Sequence, residues 1–317
     1  MRFTMAQPEV SCHPETLLPD ARTVISAALC YYLPRKGTGR ARARAKTPEV
    51  SLRSASSSAG VGEGTLSRYT WTDWYAELRE KLDELGRRLG GTYRVLVDAN
   101  QHVDREAGSR SGIGFYGKNT LLITRRHGSW VVLGTLVTDV ELEPTPRFET
   151  DCGSCTLCVE ACPTGALDEP GVLDSTRCLS YWTQSPDAIP VEYRAELGGS
   201  VYGCDICQDV CPWNRGVEKR RAGEPLPAGA EPTVSLVEWL EADGEALVKR
   251  FDRLYVPRND PRYLRRNALV AAGNVGGERE RLAVERYADD PDELVREHAR
   301  WARARLEAKL SRERERE

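Results

Sequence analysis

Residues 152–163 read CGSCTLCVEACP, and residues 204–214 read CDICQDVCPWN. The first run has the spacing Cys152-x2-Cys155-x2-Cys158-x3-Cys162-Pro163. The second is Cys204-x2-Cys207-x3-Cys211-Pro212, with Cys178 alone between them. Eight of the chain's ten cysteines therefore lie between positions 152 and 211. Four thiolates closing on a Cys-Pro step form the bacterial iron–sulfur run, in which three cysteines hold one cluster and the fourth serves another. The chain is expected to carry two [4Fe–4S] clusters.

The spacing also divides the ligands. Cys204, Cys207 and Cys211 repeat the x2, x3, Pro pattern of Cys155, Cys158 and Cys162, and Cys178 replaces the missing first cysteine. Cluster one is assigned to Cys152, Cys155, Cys158 and Cys211, and cluster two to Cys162, Cys178, Cys204 and Cys207. Zinc favours two separated C-x2-C pairs, whereas four cysteines here crowd into 152–162. Disulfides need an oxidising compartment, and no export signal is read here. Cys12 and Cys30 are read as ordinary thiols, Cys30 buried in an apolar strand.

With 317 residues, 40% hydrophobic and 29% charged, the composition is that of a soluble chain of two or three domains. The apolar stretch 24–33 is too short to span a bilayer and follows Glu9, Glu15 and Asp20, so a cytoplasmic, non-membrane protein is expected. The net charge of −3 does not announce a nucleic-acid binder, but Arg35, Lys36, Arg40, Arg42, Arg44 and Lys46 share a stretch without acids. That loop either tracks phosphates or is simply solvated.

The pattern predicts an α+β multidomain chain. Residues 1–149 form a mixed α/β domain, 150–225 a ferredoxin-like two-cluster domain, and 226–317 an all-α domain. Thr23–Tyr32 reads as a strand, and 34–67, rich in Gly, Ser, Ala and Arg, as loop. Thr72 is placed as the cap of a helix with the stripe Trp74, Leu78, Leu82, Leu85 and Leu89. Tyr93–Val97 reads as a strand with Asp98 at its exit, and Leu121–Thr124 with Trp130–Val137 as a hairpin turning at His127-Gly128. After a Gly223–Pro232 linker come helices from about Arg265 to Gly273, from Glu278 to Tyr287, and after Asp292. Their pattern resembles HEAT-type repeats. Arg262, Arg265, Arg266, Arg300, Arg303 and Arg305 form either a basic face or a salt-bridged surface there.

Clusters move electrons and do not choose a substrate, so the chemistry is sought in the N-terminal domain. Asp98 at a strand exit suits a general acid if its pocket is dry, or a turn cap if not. Gly112, Gly114 and Gly117 permit close backbone approach to a ligand or positive-φ turns. A strand rather than a helix is read after them, so they are not a dinucleotide motif.

Asp98, the Gly112-x-Gly114-Phe115-x-Gly117-Lys118-Asn119-Thr120-Leu121-Leu122-Ile123 stretch and Gly134-x-Leu136-x-Thr138-Asp139 resemble the epoxyqueuosine reductases. So do Cys178-x-Ser180-Tyr181-x-Thr183 and Tyr202-Gly203-Cys204-Asp205-x-Cys207-Gln208-x-x-Cys211-Pro212-Trp213-Asn214. The resemblance covers essentially the whole chain, and its last block is highly specific.

The resemblance implies cobalamin in the N-terminal domain beside two [4Fe–4S] clusters. It implies reduction of epoxyqueuosine to queuosine in the tRNA anticodon loop, the last step of queuosine synthesis, with electrons from an unidentified low-potential donor. By position Asp98 matches the proton donor, with Asp104 the second choice, and Asp98, Leu122, Leu133 and Ser180 match cobalamin contacts. A monomer is implied, with the helical domain and basic surfaces holding the tRNA. No Asp-x-His-x-x-Gly occurs, so the cobalt would lack a lower histidine. Family members carry further residues ahead of the segment that Met1–Thr4 resembles, which points to a shortened start. Many have an Arg two residues before an Asp-Pro, where this chain has Ser11-Cys12-His13-Pro14. The competing readings are a reductive dehalogenase-like cobalamin reductase and a plain two-cluster electron carrier.

Overall fold

The computed structural model describes residues 13–35, 60–99 and 101–316. Cys12 and positions 36–46 of the basic loop lie outside them. The frame of the N-terminal half is an antiparallel sheet in the order β1 (Thr23–Cys30), β6 (Val131–Thr138), β3 (Tyr93–Val97). The register sets Ser26 and Leu96 on either side of Thr135, and Ala27 and Val97 on either side of Gly134. Alternation then gives the sheet two distinct faces. Ile25, Ala27, Val132, Leu136, Val95 and Val97 look one way, into the main core. Val24, Ser26, Ala28, Leu133, Thr135, Val137 and Leu96 look the other way.

Helix α1 (Trp74–Leu89) covers the first face. Its N-cap is Asp73, whose carboxylate accepts from Ala76 N at 2.9 Å, one residue beyond the expected Thr72. The buried stripe is Trp74, Leu78, Leu82 and Gly86, while the expected Leu85 is exposed. Gly86 takes that place because a Cβ there would meet the Tyr93 ring at 2.5 Å. Gly134 likewise lets Leu82 and Leu78 close on the sheet. Cys30, expected to be buried, is half-buried, with its Sγ 3.4 Å from Arg221 Nη1.

The expected hairpin pairs differently. Leu122–Thr124 (β5) pairs with Gly114–Tyr116 (β4), and β6 instead takes the centre of the three-stranded sheet. The turn is made at residues 117–120, where Gly117 N donates to Leu121 O and Thr120 adopts φ 63°. At His127-Gly128 only an isolated bridge to Thr124 remains.

A second sheet has the order β7 (Ser200–Tyr202), β2 (Glu63–Leu66), β8 (Thr233–Ser235), with β2 parallel to β7 and antiparallel to β8. Its central strand lies in the stretch expected to be loop, and β8 lies in the segment expected to be all-α. Helices α4 (Arg262–Val275), α5 (Glu278–Glu285) and α6 (Glu293–Arg314) follow, with α6 capped by Asp292. One continuous core runs from Tyr31 through Trp71, Trp239 and Phe251 to Leu306. Among the described residues no helix is long and apolar enough to cross a membrane.

Candidate active site

The cysteines separate into two sets. Cys152, Cys155, Cys158 and Cys211 line one cavity of about 180 Å³, together with Asn119, Ile123, Pro212 and Trp213. Phe115, Phe148 and Trp213 pack edge-on beside it, with Phe115 and Trp213 centroids 5.1 Å apart. Cys162, Cys178, Cys204 and Cys207 are mutual electrostatic neighbours, and Cys207 also feels Cys158, so the two sets adjoin. The last cysteine of each run thus crosses to the other set.

Burial raises the thiols of Cys204 and Cys207, and raises Cys211 to about 11. Such groups ionise only against a strong local positive charge, which coordinated iron supplies. The backbone is already arranged for sulfur anions. Lys118 N donates to Cys152 Sγ at 3.5 Å and Ala166 N to Cys162 Sγ at 3.3 Å. Amides of Ser180 and Tyr181 face Cys178, that of Ile206 faces Cys204, and that of Trp213 faces Cys211. Among the described residues no three His, Cys, Asp or Glu converge on a single ion. A cubane, in which each thiolate takes its own iron, suits this donor set.

The outward face of the β1-β6-β3 sheet forms the second half of the site. Every residue of β1 is only half-buried. Helix α2 (Asp104–Arg110) lies over β1, β4 and β6. Asp98 follows β3 with φ 51°, a left-handed turn that Asp tolerates better than most residues. Arg79 Nη2 holds the preceding carbonyl of Val97 at 3.2 Å. Six residues on, Asp104 accepts from Thr135 Oγ1 at 3.1 Å. Burial pushes the Asp104 carboxyl up to about 7, opposed by that hydrogen bond and reinforced by the negative charge of Asp98. Ser26 Oγ, opposite Thr135 in register, is buried with no hydrogen-bond partner.

Arg105 ties the two halves together. Its Nη1 donates to Thr120 O at 3.0 Å, and its charge acts on Asp104, Tyr75 and Cys178. Ser180, beside Cys178 on α3 (Leu179–Trp182), sits 3.2 Å from Gln184 Nε2. Leu133 is half-buried on the open face, next to Ala28. Leu122 differs from its expected role. It is 2% exposed with Cδ2 facing Gly108 of α2, where a Cβ would meet it at 2.6 Å, so its side chain offers no surface to a ligand. The glycine stretch is spent on the chain itself, since Gly112, at φ 74°, abuts Pro146 O and Gly114 abuts Ile123 O.

Several residues that hold the site together escape a reading of spacing alone. Arg68 is 1% exposed, donates to Leu33 O, Asp205 and Asp209, and stacks 4.7 Å from the Trp130 ring. Arg35 adds a second cation to Asp205 at 3.1 Å. Gln208 bonds Tyr31 Oη and Ser129 O, and Asn214 Oδ1 accepts from Ser129 N at 2.7 Å. Non-cysteine members of the second run are thereby anchored in the N-terminal frame. Arg266, placed on a possible basic face, is instead buried. It donates to the carbonyls of Trp182, Ser185 and Asp187, while Asn267 caps those of Thr183 and Val201. Arg262, Arg300 and Arg303 pair with Asp292, Asp289 and Glu285, so the salt-bridged reading fits these three, whereas Arg265 donates to the backbone carbonyl of Ala242.

Known proteins are similar to this chain in sequence and in fold. A family model described as "Epoxyqueuosine reductase QueG, DUF1730" matches residues 12–104, and a "4Fe-4S double cluster binding domain" matches 151–214. Epoxyqueuosine reductase of Lactococcus garvieae is 35% identical over 306 residues, covering 93% of this chain and 82% of the relative. That of Bacillus subtilis is 32% identical over 301 residues, covering 91% and 72%. The chain belongs to the epoxyqueuosine reductase family. A solved epoxyqueuosine reductase from Bacillus subtilis, with its catalytic aspartate loop swung out of the active site, superposes with a TM-score of 0.78 at 31% identity. It covers 95% of this chain and 77% of its own length. Another, bound to an epoxyqueuosine-modified tRNA-Tyr stem loop, gives 0.78 at 31%, covering 96% and 78%. In this epoxyqueuosine reductase family member, the first matched segment ends on Asp104 and contains Asp98, and the second contains all eight clustered cysteines.

Proposed function

We propose that this chain reduces epoxyqueuosine to queuosine in the anticodon loop of tRNA. The observation that supports the reading is Arg105, which follows Asp104 on α2, donates to Thr120 O at 3.0 Å and carries a charge that acts on both Asp104 and Cys178. Cys152, Cys155, Cys158 and Cys211 hold one [4Fe–4S] cluster, and Cys162, Cys178, Cys204 and Cys207 the other. The half-open sheet face with its orphaned Ser26 hydroxyl fits a large ligand carrying polar groups, and cobalamin is the group proposed there. When bound, cobalamin and the clusters supply the electrons, drawn one at a time from a low-potential donor protein.

The chain's own residues supply the rest. Asp98 protonates the oxygen that leaves the epoxide; its side chain is exposed in this structure rather than in a dry pocket, and Arg79 and the left-handed turn fix its backbone. Leu133 and Ser180 line the ligand's edge, and the helical segment 226–317, HEAT-like in its paired helices, carries the tRNA. Work in the cytoplasm and as a monomer completes the proposal.

The test is incubation of the reconstituted protein with epoxyqueuosine-containing tRNA, cobalamin and a low-potential reductant, read by nucleoside mass spectrometry. Queuosine is expected. Its absence, with halide released from an organohalide, would favour the dehalogenase-like reading instead.

A further inference from the structure

The two cysteine sets do not meet solvent equally. Among the chain neighbours of Cys152, Cys155, Cys158 and Cys211, the exposed ones are Asp151, Gly153, Ser154, Thr156 and Pro212. Among those of Cys162, Cys178, Cys204 and Cys207, Pro163 alone is exposed, while Leu179, Gly203, Asp205 and Gln208 are buried. The first set is therefore the outer one. The second is the inner one, and its Cys178 feels the charge of Arg105.

A cationic rim borders the outer set. The turn 125–128 packs onto the end of the second run, where a Cβ on Gly128 would meet Asn214 Oδ1 at 1.9 Å and Trp213 O at 2.9 Å. Arg125 lies 4.5 Å over the Phe148 ring, which packs edge-on with Trp213 of the cysteine cavity. Arg220 donates to the carbonyl of Arg126, which brings the short helix Arg215–Arg220 against the same turn. Arg125, Arg126, Arg215, Lys219 and Arg220 are all exposed. Among the described residues none of them pairs with a carboxylate, whereas Arg262, Arg281, Arg286, Arg300 and Arg303 of the helical segment all do. Of the acids nearby, Asp151 is committed to Gly153 N at 2.6 Å, and Glu218 is half-buried against Trp130 Nε1 at 3.3 Å. A negative surface can dock on such a rim without first displacing an internal ion pair.

We propose that this rim is the docking surface of the electron donor, and that the donor is a small protein with an acidic patch around its redox centre. The reduced donor gives one electron across the contact to the outer cluster. The donor is oxidised by one electron, the cluster goes from its 2+ to its 1+ state, and no bond or proton moves. The electron then passes to the inner cluster, and two such deliveries serve one turnover. Charge attraction speeds the encounter while a small contact lets the spent donor leave. An anticodon loop has to reach the sheet face beside the inner set, so the rim is left to the donor. The inference rests on the cluster assignment within the proposed function.

The experiment reads electron uptake, with no RNA or cobalamin present. Reconstituted protein is mixed in stopped flow with reduced flavodoxin, an acidic one-electron carrier, and flavin and cluster absorption are followed across a salt series. Wild-type uptake should slow at least about tenfold from low to high salt. The combined variant Arg126→Glu, Arg215→Glu and Lys219→Glu should be about a hundredfold slower at low salt and lose most of the salt dependence. Reduced methyl viologen, a small cationic reductant, should reduce wild type and variant at equal rates, which separates docking from cluster damage. If the Glu set does not load iron, Gln at the same positions takes its place, with a loss of about tenfold expected. Uptake that ignores salt in wild type, or that is unchanged in the variant, overturns the inference. So does a variant slowed equally with methyl viologen. A variant with normal uptake and weakened tRNA binding would assign the rim to RNA instead. Salt-dependent uptake as expected, in a protein that forms no queuosine, would keep the inference and sink the functional reading.

Discussion

Asp98 sits where β3 lets go of the sheet, in a left-handed turn that points the chain across to α2. If it is the proton donor, Asp98→Asn should cut turnover by at least about a hundredfold while leaving cobalamin binding intact. Retained activity in a queuosine-forming assay would move the role elsewhere. A second prediction at this scale concerns His298, which is fully buried in α6. Its Nε2 accepts from Ile189 N at 3.1 Å, and its Nδ1 lies 2.7 Å from Leu294 O, an arrangement only the neutral ring satisfies. Burial, then the Arg194 charge, lowers it to about 4, with Arg266 pushing the same way and Glu297 opposing. The folded form binds its proton more weakly than the unfolded chain does. The stabilisation is therefore complete above about pH 6.5 and fades as pH falls towards 4, by about 3 kcal/mol in all. Urea midpoints of wild type and His298→Asn should converge over that window. A constant gap would remove His298 from the acid response.

At the scale of elements, α6 carries Arg305, Lys309 and Arg312 along one side, and with Asn274 they line a groove of about 370 Å³. As the proposed tRNA-facing surface, it predicts that replacing all three by Gln flattens the salt dependence of tRNA binding. The log–log slope should drop by about 0.9 for each phosphate that is no longer neutralised. Fluorescence anisotropy across a salt series measures this, and an unchanged slope would place the RNA elsewhere. Elements with a long regular period were legible in the sequence, such as α1, β1, β3 and the start of α6 at Asp292. β2 was not, because four residues beside a Ser/Gly/Ala-rich stretch make a strand only when β7 and β8 arrive on both sides. The hairpin was mispaired because β5 is equally apolar towards either neighbour, and the turn that decides between them needs a left-handed Thr120. The cysteine sets could be read because iron–sulfur spacing is local. Asp104's burial could not, since Thr135 lies 31 positions away. Arg266 looked like its surface neighbours until the carbonyls of a distant loop were placed around it.

Across the whole molecule, residues 151–178, which bear five of the clustered cysteines, have only short helices, and Cys152 among them joins just the small apolar group around Phe115 and Ile123. The long helices α4 and α6 pack mainly into the main core, with Val270 and Trp301 reaching the group around Leu179 and Ile189. Removing iron should therefore speed amide exchange in residues 151–178 by orders of magnitude while leaving α4 nearly as protected as before. Hydrogen-exchange mass spectrometry on metal-stripped and reconstituted protein would show it. Equal loosening of both regions would mean that the clusters govern the entire fold.

The small sheet that joins β7, β2 and β8 also sets an order of assembly. β2 ends at Leu66, but its partners end at Tyr202 and Ser235, so during synthesis it waits as an open edge while some 170 further residues emerge. The β1-β6-β3 sheet can form early, but the core beside β2 is not completed until residues 200–235 have emerged. The cysteine segment is threaded between the two strand pairings, which favours iron delivery to a chain that is still open. Iron starvation should then trap newly made protein as an aggregation-prone species, rather than as a folded apoenzyme awaiting its metal.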